Sequence, residues 1–271
     1  MSALFDLTGK TAIVTGGGGI LGQGFCRVLA EHGANVAIVD LKKEAAEQAA
    51  SAIQELGPCG QLLPLSCDVS SKEDVSRMLS AVLDTFGSVE ILHNNAASKS
   101  ADLAAFFAPF EEYELAEWRN IMSVNLDGVF LVAQAVGGHM ARQGRGGSII
   151  HTASIYGVVA PDQRIYEGSL YLGRQINTPA VYSASKAGVI GLSNYLATYW
   201  AKDNIRVNVL TPGGIESGQN EIFYNNYSNR VPMGRMGQAN ELHGALLYLA
   251  SDASSYVTGQ NLIVDGGLSC W

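Results

Sequence analysis

The 271-residue chain is 47% apolar and 15% charged, a globular composition with material for a sizeable core, which excludes extended disorder. Its 17 basic residues against 25 acidic ones give a net charge of −8, which argues against nucleic acid as the main partner but allows a local basic pocket. Cys26, Cys59, Cys67 and Cys270 are scattered, without a CxxC pair or clustered histidines, so they read as idle thiols, and no metal site with ligand-like spacing is found.

The N-terminal stretch has no basic region followed by a long apolar run, and no segment offers the roughly 18 consecutive apolar residues of a membrane span. A cytoplasmic protein with no membrane partner is expected. Residues 10–15 (KTAIVT) form a β-rich apolar run that meets glycines at once, and 20–32 reads as a helix that Gly33 ends. A second run, NVAIVD at Asn35–Asp40, precedes the alanine-rich helix KKEAAEQAASAIQEL. The alternation continues through QLLPLSCD, a helix near Lys72–Phe86 and VEILHNN, then through GSIIHTAS, IRVNVLTP and NLIVDGG with helical stretches between. Strands without polar alternation, divided by helices, predict a parallel sheet covered on both faces. The expectation is one α/β domain over residues 1–271, a doubly wound Rossmann fold on a seven-stranded parallel sheet. Two loops, 98–112 and 155–179, are long enough to suggest function.

TGGGGILG follows the first strand and opens the first helix, the context of a dinucleotide site. Glycines there admit positive φ and bring backbone N–H groups against a pyrophosphate at the positive end of the helix. Gly16, Gly19, Ile20, Leu21 and Gly22 are the candidate cradle. Asp40 ends the second strand, and its distance in sequence from Gly22 is close to that of an acid that binds a ribose 2′-hydroxyl. Such an acid repels a 2′-phosphate, so NAD is favoured over NADP, with Leu41 beside it, although Lys42 and Lys43 offer charge for a phosphate.

TPAVYSASKAGVIGLSNY places Tyr182 and Lys186 four apart among small residues, on one face of a helix. A phenol titrates near 10, and a neighbouring ammonium lowers that value, so the pair reads as a tuned general acid–base.

From its first strand to its end the chain resembles the short-chain dehydrogenase/reductase family. The resemblance rests on the glycine turn, CDV (67–69), NNAA (94–97), VNLDGVF (124–130), HTAS (151–154), YSASK, IRVNVLTPGGI and SDASSYVTGQNLIVDGG. It implies hydride transfer between a nicotinamide and a carbinol carbon. Tyr182 matches the proton donor and acceptor, Lys186 the lysine that lowers its pKa and holds the nicotinamide ribose, Ser154 the serine that orients the substrate oxygen. Asn125 matches the asparagine that holds a relay water. By position, Asp68 and Val69 are expected at an adenine, Asn94 and Ala96 beside the ribose, Pro212, Gly213 and Ile215 around the nicotinamide, and Ser217 at the pyrophosphate. Members are usually homotetramers built partly on the tyrosine helix, and Ala184, Gly188 and Gly191 would let another element approach it; the tail GLSCW either reaches a neighbouring subunit or frays.

Three departures stand out. The turn reads TGxxGxxG, a spacing seen more in extended members that add a substrate domain, yet the chain ends with the short form's C-terminal motif. Ala97 replaces a usual glycine. Tyr182 stands much farther beyond Ser154 than the family's usual interval, and Tyr166, at nearer the usual distance, has Leu170 where the lysine would be. The extra segment, about 155–179, carries Asp162, Gln163, Arg164, Tyr166, Glu167, Tyr171, Arg174, Gln175 and Asn177 beside the substrate mouth. A polar wall suits a sugar-like small molecule better than a steroid or an acyl chain. The segment looks like bacterial members of surface-sugar and flagellin-glycan biosynthesis, and the C-terminal half like sugar-acid oxidoreductases of the mannonate/fructuronate kind. The competing readings are a 3-oxoacyl-thioester reductase and a non-catalytic dinucleotide-sensing regulator.

Overall fold

The glycine turn is a tight point of the chain that lies at the end of β1, near the middle of the sheet. The structure, a computed structural model, describes residues 3–100 and 102–271. In chain order the elements are β1 (Thr11–Thr15), α1 (Ile20–Glu31), β2 (Asn35–Asp40), α2 (Lys43–Gln54), β3 (Leu62–Ser66), α3 (Lys72–Phe86) and β4 (Ile91–Asn94). Then come α4 (Leu103–Phe106), α5 (Leu115–Met122), α6 (Val129–Gln143), β5 (Gly147–Thr152), the short pair β6 (Leu170–Tyr171) and β7 (Arg174–Gln175), and α7 (Ala180–Tyr199). The chain closes with β8 (Ile205–Pro212), α8 (Glu221–Ser228), α9 (His243–Ala250) and β9 (Asn261–Val264).

Seven strands pair in parallel in the order β3-β2-β1-β4-β5-β8-β9, the expected doubly wound Rossmann sheet in a single domain. The order reverses between β1 and β4, and in such sheets the crevice beyond the strand ends at that point is where ligands bind. Alternate side chains feed two cores. Ala12, Val14, Val36 and Ile38 join Phe25, Leu29 and Leu246 on the face covered by α1, α2 and α9. Ile13, Ala37, Val39 and Ile149 join Met78, Val136, Met140 and Trp200 on the face covered by α3, α6 and α7.

The predicted strands and helices all form, with ends trimmed where side chains leave the ladder to build turns. Ser71 caps α3 by accepting a hydrogen bond from the Asp74 N–H at 3.2 Å, and Gly87 ends that helix at φ +80°. Two features are not foreseen from the sequence. A π-turn at Ser123–Gly128 joins α5 to α6; such bulges in helices gather at functional sites. The long loop 98–112 carries α4, which Asp102 caps through the Ala104 and Ala105 N–H groups. The tail is folded back rather than free, the Trp271 indole N–H donating to the Arg230 carbonyl at 2.9 Å.

Within the single chain, α7 has one inward and one outward side. Val181, Ser185, Lys186, Val189, Ser193 and Leu196 face inward, whereas Ala184, Ala187, Gly191, Tyr195 and Tyr199 lie exposed along the opposite side of α7. Small residues at those positions give the outward side little bulk until the stacked rings of Tyr195 and Tyr199.

The turn after β1 leaves no room for side chains. Gly16 holds φ +64°, and a Cβ on Gly22 would lie 2.0 Å from the Gly16 carbonyl oxygen. Gly22→Ala must push the turn away from α1, and overpacking of this kind costs about 1–3 kcal/mol. A lower urea midpoint, together with weaker dinucleotide binding by fluorescence titration, is the expected result; an unchanged midpoint would show that the turn relaxes freely.

Candidate active site

The cleft is assembled from the C-terminal ends of β1, β2, β4, β5 and β8. Gly19 caps α1 without a side-chain hydrogen bond, so the first N–H groups of that helix are left open toward the cleft. A cavity of about 470 Å³ begins there, lined by Gly16, Gly19, Ile20, Leu21, Gly22 and Asp40 at one end. Ser154, Tyr182, Lys186, Pro212, Gly213, Ile215 and Ser217 line it further along. Asp40 Oδ2 accepts from the Gly18 N–H at 3.1 Å and Oδ1 from the Lys42 N–H at 3.3 Å, which fixes the carboxylate at the cavity wall. An open helix N-terminus, a glycine turn and an acid at the end of β2 are the donor and acceptor set that a dinucleotide needs.

A second cavity, of about 380 Å³, shares Lys99, Ser154, Tyr182 and Gly213 with the first. Tyr182 and Lys186 are one turn apart at the start of α7. Lys186 is buried, its Nζ donating to the Thr152 carbonyl oxygen at 3.0 Å and lying 5.9 Å from the Tyr182 ring centre. Ser154 and Tyr182 line both cavities in spite of the long interval between them in the sequence.

The family model described as enoyl-(acyl carrier protein) reductase matches residues 18–269. D-arabinitol 2-dehydrogenase [ribulose-forming] of Candida tropicalis is 36% identical, over 98% of this chain and 95% of that protein. A crystal structure of a short-chain type dehydrogenase/reductase from Mycobacterium marinum is 36% identical with a TM-score of 0.85, covering 100% of both chains. A gluconate 5-dehydrogenase from Burkholderia cenocepacia, solved with NADP and tartrate, is 34% identical with a TM-score of 0.85, over 99% of this chain and 98% of that one.

The chain belongs to the short-chain dehydrogenase/reductase family.

Within this family member the electrostatics differ from the expectation in one respect. Burial pushes the Tyr182 phenol up, opposed by the neighbouring Ser154 hydroxyl. The ammonium is turned to the Thr152 carbonyl, and burial brings its own pKa down to about 8. Each group is driven toward its neutral form, because a charge inside the closed cleft loses its hydration.

Other expected residues do not line either ligand-free cavity. Asn94 is buried under the cleft, its Oδ1 accepting from Thr15 Oγ1 at 3.2 Å and its Nδ2 donating to the Val129 carbonyl at 2.9 Å. Ala96 likewise lies off the wall, and its N–H donates to Thr15 Oγ1. Asn95 and Ala97 line the cavity instead. Asp68 accepts from the Ser70 N–H and hydroxyl, and Val69 packs on Gly128; neither lines either cavity, and Leu41 is solvent-exposed beyond Asp40. Asn125 sits in the π-turn with its amide joined to the Ser98 backbone, accepting from the N–H at 2.7 Å and donating to the carbonyl at 3.2 Å.

The polar wall expected from the 155–179 segment is corrected. Of the nine polar residues named from it, Tyr166 and Asn177 line the second cavity, joined by Tyr156 and Thr178 of the same segment. Asp162 turns outward to Arg164 at 2.7 Å and Arg230 at 3.1 Å, because paired charges are held at the surface more cheaply than inside. Arg174 and Gln175 occupy the exposed β6–β7 hairpin. The wall is aromatic: Phe106, Phe107, Tyr156, Tyr166, Phe223 and Tyr227, with Tyr166 stacked on Phe223 at 5.6 Å. The segment is pinned to α8 through Asn226, whose Nδ2 donates to the Ile165 and Glu167 carbonyls. Sequence reasoning also passes over Lys99 and Gln219, which reach the cavities from loops without motif signals, and gives Thr152 no role although it stands within HTAS.

The buried lysine predicts a stability signature. Its pKa falls from 10.5 in the unfolded chain to about 8, so below pH 8 the folded protein carries a buried ammonium in full. Between those values the folded state gives up its proton first, and stability rises with pH. The shift corresponds to about 3 kcal/mol. Lys186→Met is expected to stabilise the ligand-free protein at pH 7 by up to that amount and to flatten the alkaline rise in urea midpoints; a less stable variant with an unchanged pH slope would contradict this.

Proposed function

We propose that the protein interconverts a secondary alcohol and a ketone on a sugar, sugar acid or polyol, using NAD(H). The observation that carries this reading is the meeting of Ser154, Tyr182 and Lys186 on the rim shared by the two cavities. One cavity runs from the glycine turn and the other is closed by aromatic rings, so cofactor and substrate can lie on either side of the same phenol. A bound nicotinamide supplies the hydride acceptor or donor. Tyr182 Oη takes or returns the hydroxyl proton, and Ser154 Oγ orients the substrate oxygen. Lys186 has N–H donors beyond the one given to Thr152, and these are available to a ribose. Asn125 holds Ser98 and with it the loop that leads into the rim.

Two observations support NAD over NADP. Asp40 lines the cavity end with its carboxylate fixed, where a 2′-phosphate would meet like charge. Of the following lysines, Lys43 is engaged with Glu47 at 3.5 Å, which reduces the cation available to a phosphate. Polyol and sugar-acid relatives support a polyhydroxylated substrate. The aromatic wall is the one observation that favours a second reading, reduction of a 3-oxoacyl thioester. The exposed small-residue side of α7 supports assembly into a homotetramer.

Tyr182→Phe is expected to lower kcat by about 10²- to 10⁴-fold while dinucleotide binding persists; retained turnover would remove the phenol from the mechanism. NADH formation should be seen with sugars, sugar acids or polyols, and Asp40→Ala should narrow the preference for NAD over NADP. Turnover of hydroxyacyl thioesters alone would select the second reading, and binding without turnover of any alcohol would select a dinucleotide sensor.

A further inference from the structure

The substrate cavity carries a single formal charge. Lys99 is the one basic side chain among those that line it; the polar remainder includes neutral groups such as Asn177, Gln219 and Asn220, and no Asp or Glu reaches the wall. Lys99 also lines the glycine-turn cavity, which puts it on the rim with Ser154 and Tyr182. Among the described residues no carboxylate lies within ion-pair distance of its ammonium. The chain just before it is fixed, since Asn125 grips both the N–H and the carbonyl of Ser98. The other cation of the cleft, Lys186, is buried and turned to the Thr152 carbonyl.

A chain of net charge −8 repels small anions in general. A cavity with one unpaired cation and no acid reverses that field locally. An ammonium is a compact point charge with three donors, suited to a carboxylate or a phosphate ester alike.

We propose that Lys99 recognises an anionic group on the sugar, so that sugar acids or sugar phosphates are turned over in preference to neutral polyols. The inference rests on the oxidoreductase reading above and narrows its substrate class.

The test compares a neutral pentitol, the corresponding pentonate and the pentitol phosphate at saturating NAD. Wild-type protein is expected to favour an anionic member by about tenfold or more in kcat/KM, the size of one hydrogen bond to a charged group. That preference should shrink as salt is raised. Lys99→Met should remove it through a higher KM for the anionic member, and Lys99→Arg should keep part of it. Which anion is favoured identifies the carboxylate or the phosphate as the group recognised. Dinucleotide affinity is measured separately by fluorescence titration; a loss there in Lys99→Met with the substrate preference intact would assign Lys99 to the cofactor and overturn the proposal. Equal or better turnover of the neutral pentitol by wild-type protein overturns it while leaving the oxidoreductase reading standing. No turnover of any of the three overturns both.

Discussion

An ammonium held without water is the constraint on which the cleft depends. Lys186 is buried at the start of α7, and the contact that holds it is the carbonyl of Thr152. That carbonyl is not free to move. Thr152 ends β5, which lies between β4 and β8 near the middle of the sheet, with His151 in register with Asn94 and Thr152 with Leu210. The lysine therefore takes its position from the most rigid part of the fold. Tyr182 lies one turn before it on the same helix, so the phenol inherits the same frame.

The side chain of Thr152 extends the frame in the other direction. Its hydroxyl lies 3.2 Å from Asn95 Oδ1, an acceptor only, so the hydroxyl proton points there. The contact of 2.8 Å with His93 Nε2 must then be donated by the imidazole, which assigns His93 as the neutral Nε2–H form. Burial agrees, bringing the His93 pKa down to about 3. The same argument holds for His151. Ser193 gives its proton to the Val189 carbonyl at 2.6 Å, so His151 Nδ1 donates to Ser193 and clasps α7 to β5. Two neutral imidazoles thus fix the strand and the helix that carry the reacting groups, without adding charge beside Lys186.

How much of this is legible in the sequence follows from how local each signal is. Apolar runs such as NVAIVD and glycines after β1 act within a few residues, and the sheet they predict is the sheet observed. The YxxxK pair is a helical spacing, readable whatever loop precedes it, which is why the long segment between Ser154 and Tyr182 does not hide it. The direction of the Asn94 side chain is not legible because a strand end alternates: Asn95 and Ala97 face the cleft, while Asn94 points its amide beneath it to Thr15 and Val129. The 155–179 segment departs for a different reason. Its composition is polar, but composition does not say which side chains turn inward, and Asp162 and Arg164 satisfy one another outside while Tyr166 packs on α8. The π-turn at Asn125 has no residue pattern of its own and is visible only once α5 and α6 are joined in space.

Around the phenol, burial works against charge. Desolvation raises the phenol of Tyr182 and lowers the ammonium of Lys186, so near neutrality the phenol keeps its proton and the lysine is close to losing its own. In the reaction proposed above, a phenol in that condition would donate to a carbonyl more readily than it would take a proton from an alcohol. Reversing the direction requires a positive charge to arrive near the phenol, because the protein's own ammonium is directed away toward Thr152. The fold therefore leaves the last adjustment of the phenol to whatever fills the cavity that begins at the glycine turn. In the proposed reaction the phenol would act as a base once a positive charge fills that cavity, with no rearrangement of the sheet required.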